Sequence, residues 1–358
     1  MKPEAIVHAA TEVLTAILAT PQPANEVLSA YTRSRRYIGS KDRRTLSDLV
    51  WGYLRHYRRL QYAYPDATTA ERLAKLDTLP DTITGAPPAV NWEVPDWLIS
   101  LIPSADVELP ALLQAADIVL RANGDRNAIQ KMLSDQGVPT EKTPLSPWGL
   151  RLTKRVNLNI IPAYRDGLIE VQDEGSQCVA LATGIQAGNT VLDYCAGAGG
   201  KSLIFAQMMQ NRGSITAHDI SSRSLAELKK RANRAGATCI TVQRPLKAAM
   251  YDHVVVDAPC SGTGTWRRCP DMRFKLTADQ LEKLVHTQAD ILDKAVSYVK
   301  TGGFLSYMTC SLTYPENAGQ TQTFLQRHPG FTLVQTKQFS PAQTHTDGLF
   351  LAQFQRTR

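Results

Sequence analysis

The amino-acid sequence predicts an α/β protein: a doubly wound, Rossmann-like parallel sheet over residues 165–358, behind a linker with a small α/β module (65–164) and a helical domain (1–64). Three observations predict it. From Gln172 onward, β-branched runs alternate with helically spaced apolar residues, the pattern of a parallel sheet with helices on both faces. Two of those runs end on cysteine-bearing loops, at the carboxyl edge where such sheets bind ligands. Positive charge is concentrated near the amino terminus. Between Arg33 and Arg59 stand nine Lys or Arg and two acids, a local balance that accounts for the whole net charge of +7.

In chain order, residues 4–19 and 24–36 read as helices separated by Pro21 and Pro23. A longer helix begins near Ser40, read as its N-cap, because Leu46, Leu49, Val50, Tyr53, Leu54, Tyr57 and Leu60 recur at helical spacing. The helical domain ends near Tyr64. Tyr31, Tyr37, Trp51, Tyr53 and Tyr57 lie among the basic residues, a composition suited to tracking a phosphate backbone with stacking faces. The same aromatics at helical spacing also read as core. Residues 65–110 are rich in Pro, Thr and Ala and read as a linker with short helices, docked over Trp92–Ile102. A strand over 119–122 and a helix over 126–136 mark the small module, with prolines at 139, 144 and 147.

In the last domain, strands are expected at 190–194, 214–218, 238–242, 251–256 and 303–309, with helices at 202–210, 222–235 and 277–299. Hydrophobic residues make up 43% and charged residues 20%, and no apolar run approaches the roughly 18 residues of a membrane span. The first helix is interrupted by polar residues, so it reads as amphipathic rather than as a signal peptide. Six cysteines (178, 195, 239, 260, 269, 310) form no CxxC pair, which indicates neither a metal site nor a disulfide framework and suits a reducing cytoplasm.

The turn Cys195-Ala196-Gly197-Ala198-Gly199-Gly200-Lys201 has neither the dinucleotide fingerprint nor phosphate-loop spacing. Its glycines admit a ligand close to the backbone, while Asp219 at the tip of the next strand is placed to accept from ribose hydroxyls. A ligand with a ribose and no phosphate, such as S-adenosylmethionine, suits this turn better than NAD or ATP. Two strands then deliver thiols to the same edge. One runs into Asp257-Ala258-Pro259-Cys260-Ser261-Gly262-Thr263-Gly264 and the other into Thr309-Cys310-Ser311-Leu312. Buried structural cysteines are the bland reading of the pair.

These motifs, with Asp193–Lys201, Ala217–Ser221, Arg267-Arg268-Cys269-Pro270-Asp271 and Gln172–Gln177, resemble the Sun/Nop family of RNA cytosine-5 methyltransferases, most nearly its bacterial members that act on ribosomal RNA. The resemblance spans 165–358 and extends loosely to Tyr37–Arg44. It implies a class I methyltransferase domain that binds S-adenosylmethionine through residues 195–201, Asp219 and Asp257. Amino-terminal helices like those of NusB, here shortened, would help bind RNA. It further implies Cys310 as the nucleophile, Cys260 as the residue that assists release, Asp257 as the partner of the pyrimidine's amidine edge, and Lys201 as its electrostatic partner. The other four cysteines read as structural. The implied partner is ribosomal RNA, with transfer RNA also open, and the implied protein is a monomer.

Two thiols suit this chemistry because cytosine carbon-5 becomes nucleophilic only after a thiolate adds to carbon-6, and the adduct must afterwards be released. Three positions depart from the family pattern. Ala198 stands where proline is usual, Ala318 replaces a glutamate, and Gln243–Met250 lacks the aspartate that contacts adenine, a place Gln243 could take. Two other classes share parts of the signal. A DNA cytosine-5 methyltransferase attacks with the Pro-Cys thiol and needs no Thr-Cys-Ser thiol, and a non-catalytic RNA-binding assembly factor leaves both thiols and Lys201 unexplained.

Overall fold

Apolar residues at helical spacing build the first core. In the computed structural model, which describes residues 1–358, helices Pro3–Leu18, Ala24–Ser34, Ser40–Arg55 and Tyr57–Ala63 bury Val13, Leu14, Ile17, Leu46, Val50 and Leu60 against one another. Gly39, not Ser40, occupies the N-cap of the third helix, and no side chain caps it. Asp42 instead pairs with the Met1 amino group at 2.9 Å, where the unpaired N–H groups and a carboxylate in the first turn favour each other.

This helical unit comprises Met1–Ala115 together with Thr265–Gln280, and the second unit comprises Ala116–Gly264 and Leu281–Arg358. That division differs from the expected one. Residues 65–115 are not a linker: Leu73, Val90, Leu98 and Leu109 are buried, and Glu93 forms a buried ion pair with Arg59 at 3.0 Å. Short helices with one or two buried residues each leave little periodicity to read, which is why composition alone suggested a linker. The second segment adds the buried Trp266 to this unit and packs Phe274 against the helical core, its ring tilted by 34° to that of Tyr57 with centroids 4.4 Å apart. Asp271 accepts from the Ala24 N–H at 3.0 Å, so the helix Ala24–Ser34 starts on a carboxylate from a distant part of the chain. Arg273 is fully buried and donates to the Leu112 and Trp266 carbonyls. Thus Arg267–Asp271, read from the sequence with the methyltransferase motifs, belongs to the helical unit.

The basic stretch is likewise divided by its surroundings. Arg59 is held in the core, Arg55 donates to the Leu113, Gln114 and Arg267 carbonyls, and Arg58 pairs with Asp96. Arg33, Arg36, Lys41 and Arg44 are exposed. No helix is long and apolar enough to cross a membrane.

The second unit holds two sheets. Strands β1 (Val119–Ala122), β2 (Thr140–Lys142), β3 (Gly149–Leu152) and β4 (Ile169–Val171) form an antiparallel sheet of order β2-β3-β1-β4. Strands β5 (Thr190–Asp193), β6 (Ser214–Ala217), β7 (Ile240–Val242), β8 (Tyr251–Asp257), β9 (Val299–Thr309), β10 (Phe331–Phe339) and β11 (Leu349–Arg356) form the large one, ordered β10-β11-β9-β8-β5-β6-β7. β5 to β9 are mutually parallel, and β10 and β11 close the edge antiparallel. The strand order reverses on either side of β5, so the crevice at the carboxyl ends of β5 and β8 is the topological switch point. Val254, Val255 and Val256 are wholly buried, as a central parallel strand covered on both faces requires.

Candidate active site

Parallel register places the two cysteine loops side by side. Asp257 at the end of β8 lies opposite Met308 in β9, and the Ala258 N–H donates to the Met308 carbonyl at 2.9 Å. The loops then lock together. The Gly264 N–H donates to the Cys310 carbonyl at 2.9 Å, and the Gly348 N–H donates to the Gly264 carbonyl at 2.8 Å. A Cβ on Gly264 would meet the Gly348 carbonyl oxygen at 2.1 Å, so this crossing admits only glycine.

The outcome is a pair of sulfurs 3.3 Å apart, both free thiols, with the Cys310 N–H also 3.3 Å from the Cys260 sulfur. Sequence reasoning expected strand tips within reach of one base, and the thiols are in direct contact. Their surroundings are unequal. The sulfur–sulfur hydrogen bond, burial, and the charges of Cys310 and Glu316 raise the Cys260 pKa well above that of an ordinary thiol. Cys310 instead lies within electrostatic reach of the Lys201 ammonium.

Lys201 Nζ contacts Asp257 Oδ2 at 2.5 Å, joining two more of the expected site residues. Burial pulls the lysine down, but the Asp257 carboxylate more than offsets it, so the ammonium is held more firmly than usual. Beneath them, Asp193 is wholly buried and accepts from the Ser202 hydroxyl at 2.6 Å. Burial pushes its carboxyl up to about 7, with the Ser202 hydrogen bond opposing the shift and nearby Asp257 adding to it. The raised value fixes the sign of a pH effect. Between the unfolded carboxyl's pKa near 4 and about 7 the native state keeps a proton that the unfolded chain has lost, so stability falls as pH rises through that window. We expect wild-type protein to lose roughly 3 kcal/mol of unfolding free energy between pH 5 and pH 8 through this group, at ~1.4 kcal/mol per unit. Asp193→Asn should lack that part of the decline in urea titrations, and an equal decline in both proteins would place its origin elsewhere.

The glycine turn forms the other half of the site. Gly197 and Gly199 take φ of 52° and 84°, and the Gly199 position has no room for a Cβ beside Leu228. Asp219 Oδ2 accepts from the Gly197 N–H at 2.9 Å and its Oδ1 from the Ser221 N–H at 2.7 Å. The residue expected to meet a ribose therefore also holds the turn. Each carboxylate oxygen keeps a second lone pair for a ligand. Two further side chains secure the turn from outside: Arg231 donates to the Ala198 carbonyl at 2.8 Å, and Gln172 to the Gly200 carbonyl at 3.1 Å. Cys195 and Ala196 begin the turn, the thiol of Cys195 pushed upward by burial, while Cys178 is pushed up to about 12 by burial. Gln243 Oε1 lies 3.4 Å from the Lys247 N–H.

The turn leaves room for a ligand against its backbone. Nothing lies within 4 Å of a Cβ built on Gly197, and Ile220, next to Asp219, is 86% exposed as an apolar face at the carboxyl edge. No group of three His, Cys, Asp or Glu is arranged to hold a metal ion.

One feature escaped sequence reasoning. Glu316, two residues before Ala318, carries no signal of its own in the sequence, yet it is wholly buried and accepts from the Ser261 N–H at 2.7 Å, and from the Ser261, Ser311 and Thr313 hydroxyls and the Gln288 amide. The signal available was the concentration of Ser and Thr in the two cysteine loops.

Comparison with known proteins follows the same lines. Residues 180–355 match the family described as 16S rRNA methyltransferase RsmB/F. The probable ribosomal RNA small subunit methyltransferase B of Bacillus subtilis is 34% identical over 223 residues, 59% of this chain and 50% of that protein. The ribosomal RNA small subunit methyltransferase B of Pasteurella multocida is 30% identical over 292 residues, 73% of this chain and 65% of that protein. The chain thus spans half to about two thirds of these relatives. The crystal structure of PH0851 shares the fold, with a TM-score of 0.82 at 20% identity over 99% of both chains.

Proposed function

Because the chain belongs to the Sun/Nop (RsmB/F) methyltransferase family, we propose that it makes 5-methylcytosine in ribosomal RNA, with S-adenosylmethionine as methyl donor. The observation that carries the reading is the contact of two free thiols at adjacent strand tips beside the Lys201–Asp257 pair. S-adenosylmethionine, when bound by the glycine turn and Asp219, supplies an electrophilic methyl group. All other work falls to the chain's own residues.

Cys310 is the attacking group, its sulfur within electrostatic reach of the Lys201 ammonium. Its sulfur forms a bond to carbon-6 of cytosine, and the electrons of the 5,6 double bond pass into the ring as Asp257 hydrogen-bonds the amidine edge. Carbon-5 then takes the methyl group. Once the Cys310 sulfur is bonded to carbon, its hydrogen bond no longer holds the Cys260 proton, and Cys260 can release that proton to solvent. As a thiolate, Cys260 removes the carbon-5 proton, the double bond re-forms, and the Cys310 sulfur leaves. The exposed Arg33, Arg36, Lys41 and Arg44 give the helical unit a basic surface for the RNA phosphates.

The test is transfer of labelled methyl from S-adenosylmethionine to small-subunit ribosomal RNA, with bisulfite sequencing to find the modified cytosine. Label confined to RNA cytosine is the expected result. Label in DNA would favour the DNA enzymes' chemistry, and label in neither would favour an RNA-binding assembly factor.

A further inference from the structure

Both cysteine loops converge on one buried carboxylate that no cation balances by contact. Glu316 collects the Ser261 N–H and hydroxyl from the Cys260 loop, the Ser311 and Thr313 hydroxyls from the Cys310 loop, and the Gln288 amide from the helix Ala278–Ala295. Gln288 in turn donates to the Pro259 carbonyl at 2.9 Å and accepts from the Tyr307 hydroxyl at 3.0 Å. Asn317, next in sequence, donates to the Ser311 carbonyl at 2.8 Å and accepts from the Thr309 hydroxyl at 2.6 Å. Every partner of the Glu316 carboxylate is a neutral donor, and such a buried group repays its desolvation only when those bonds are all made. A neutral acceptor could satisfy the same donors, whereas an apolar side chain would leave them buried and unpaired. What a neutral acceptor could not supply is a negative charge acting on Cys260.

We infer that Glu316 is a positioning residue that fastens the two cysteine loops in register and, through its charge, decides which sulfur keeps the proton. The inference rests on Cys310 being the attacking thiolate. The titratable groups facing Cys260 are Cys310, Glu316 and the Tyr307 hydroxyl; the Gly262 and Cys310 N–H groups also donate to its sulfur and favour a thiolate there, which the Glu316 carboxylate opposes. Lys201, paired with Asp257 at 2.5 Å, interacts electrostatically with Cys310. A thiol pair with a carboxylate acting on one sulfur and an ammonium on the other holds a single anion, and holds it on the sulfur the ammonium acts on. The arrangement leaves one nucleophile and one proton-bearing partner, which is the division of labour that addition followed by release requires.

The test needs neither RNA nor cofactor, so it is separable from the proposed activity. Wild-type protein is alkylated with iodoacetamide across pH 6 to 10 and the Cys260 and Cys310 peptides are quantified by mass spectrometry. Cys310 should react at lower pH, with Cys260 lagging by more than about one unit, a tenfold difference in thiolate at a given pH. In Glu316→Gln the Cys260 profile should move to lower pH and its alkylation at pH 8 should rise roughly tenfold, while Glu316→Asp, which keeps the charge, should preserve the wild-type order. Turnover of Glu316→Gln should fall on the order of tenfold to a hundredfold with the cofactor Kd unchanged. A folded Glu316→Gln with an unmoved Cys260 profile would overturn the inference. So would wild-type protein in which both thiols titrate together or Cys260 reacts first, an outcome readable even if the variant does not fold. Methylation without this order would remove the inference alone, and this order without methylation would remove the proposed activity alone.

Discussion

Cys310→Ala should show no turnover and no covalent adduct, although RNA and cofactor still bind, whereas Cys260→Ala should methylate once and then stall. The stalled species is a protein–RNA adduct that survives denaturing electrophoresis, because the variant attacks but cannot remove the carbon-5 proton. The two sulfurs are only 3.3 Å apart, so opposite phenotypes from such close neighbours would report role and not location. Neither substitution should disturb the fold much, since both thiols are only half-buried and their backbones are fixed by loop hydrogen bonds. An adduct in Cys310→Ala and none in Cys260→Ala would move the protein to the Pro-Cys mechanism of the DNA enzymes. An active Cys310→Ala would end the covalent scheme.

The second large effect is expected at Asp257. Asp257→Ala removes the carboxylate that holds the Lys201 ammonium in its buried position, with side-chain exposures of 33% and 10% for the two partners. Breaking a fully buried pair costs about 3–5 kcal/mol, and the partial exposure of Asp257 reduces the expectation to about 2 kcal/mol. Turnover should fall further than stability suggests, by ~10²–10⁴-fold, because the amidine edge loses its hydrogen-bonding partner during addition. Urea titration and single-turnover methyl transfer separate the two consequences. Lys201→Met with Asp257 intact provides the contrast: it should slow addition by weakening the Cys310 thiolate and leave Asp257 able to meet the base. Asp257→Ala turnover within tenfold of wild type would show that the carboxylate serves the lysine and not the substrate.

Much of the large sheet was legible in the sequence because parallel strands buried on both faces read as continuous β-branched runs. Val254–Val256 and Thr190–Leu192 are such runs, and the glycine turn and the cysteine-tipped strands are local signals that survive without an alignment. The juxtaposition of Cys260 with Cys310 could be expected from strand order, and that of Lys201 with Asp257 from the family resemblance. The role of Glu316 could not, because it depends on hydroxyl and amide groups from three segments, whose residue types occur equally on exposed surfaces. Nor could the hold of Asp219 on the glycine turn, since the spacing from Gly197 to Asp219 does not show which backbone N–H groups will face a carboxylate. Of residues 65–110, the short helices and the docking over Trp92–Ile102 were legible, but not that the whole stretch packs into the helical unit. Their buried apolar residues come one or two to a helix, too few for a period, and the Arg59–Glu93 pair that anchors them consists of residues ordinarily found in water.

The split composition of the helical unit bears on when, during synthesis, that unit can finish folding. Domains generally fold in order of emergence from the ribosome, the amino-terminal one first. Here the residues that complete the amino-terminal unit, Trp266, Asp271, Arg273 and Phe274, follow Ala116–Gly264 in the chain. At roughly 5–20 residues per second the nascent helices wait on the order of ten seconds for them. During that interval the helix Ala24–Ser34 has no Asp271 to accept its first N–H, and Tyr57 has no Phe274 to cover it. The second unit's strands β5 to β8 are all made before the first unit can close. Neither unit can therefore close as soon as its first segment is made: the helical unit waits for Thr265–Gln280 and the second unit for Leu281–Arg358, and until then the amino-terminal helices stay open to chaperones and to aggregation.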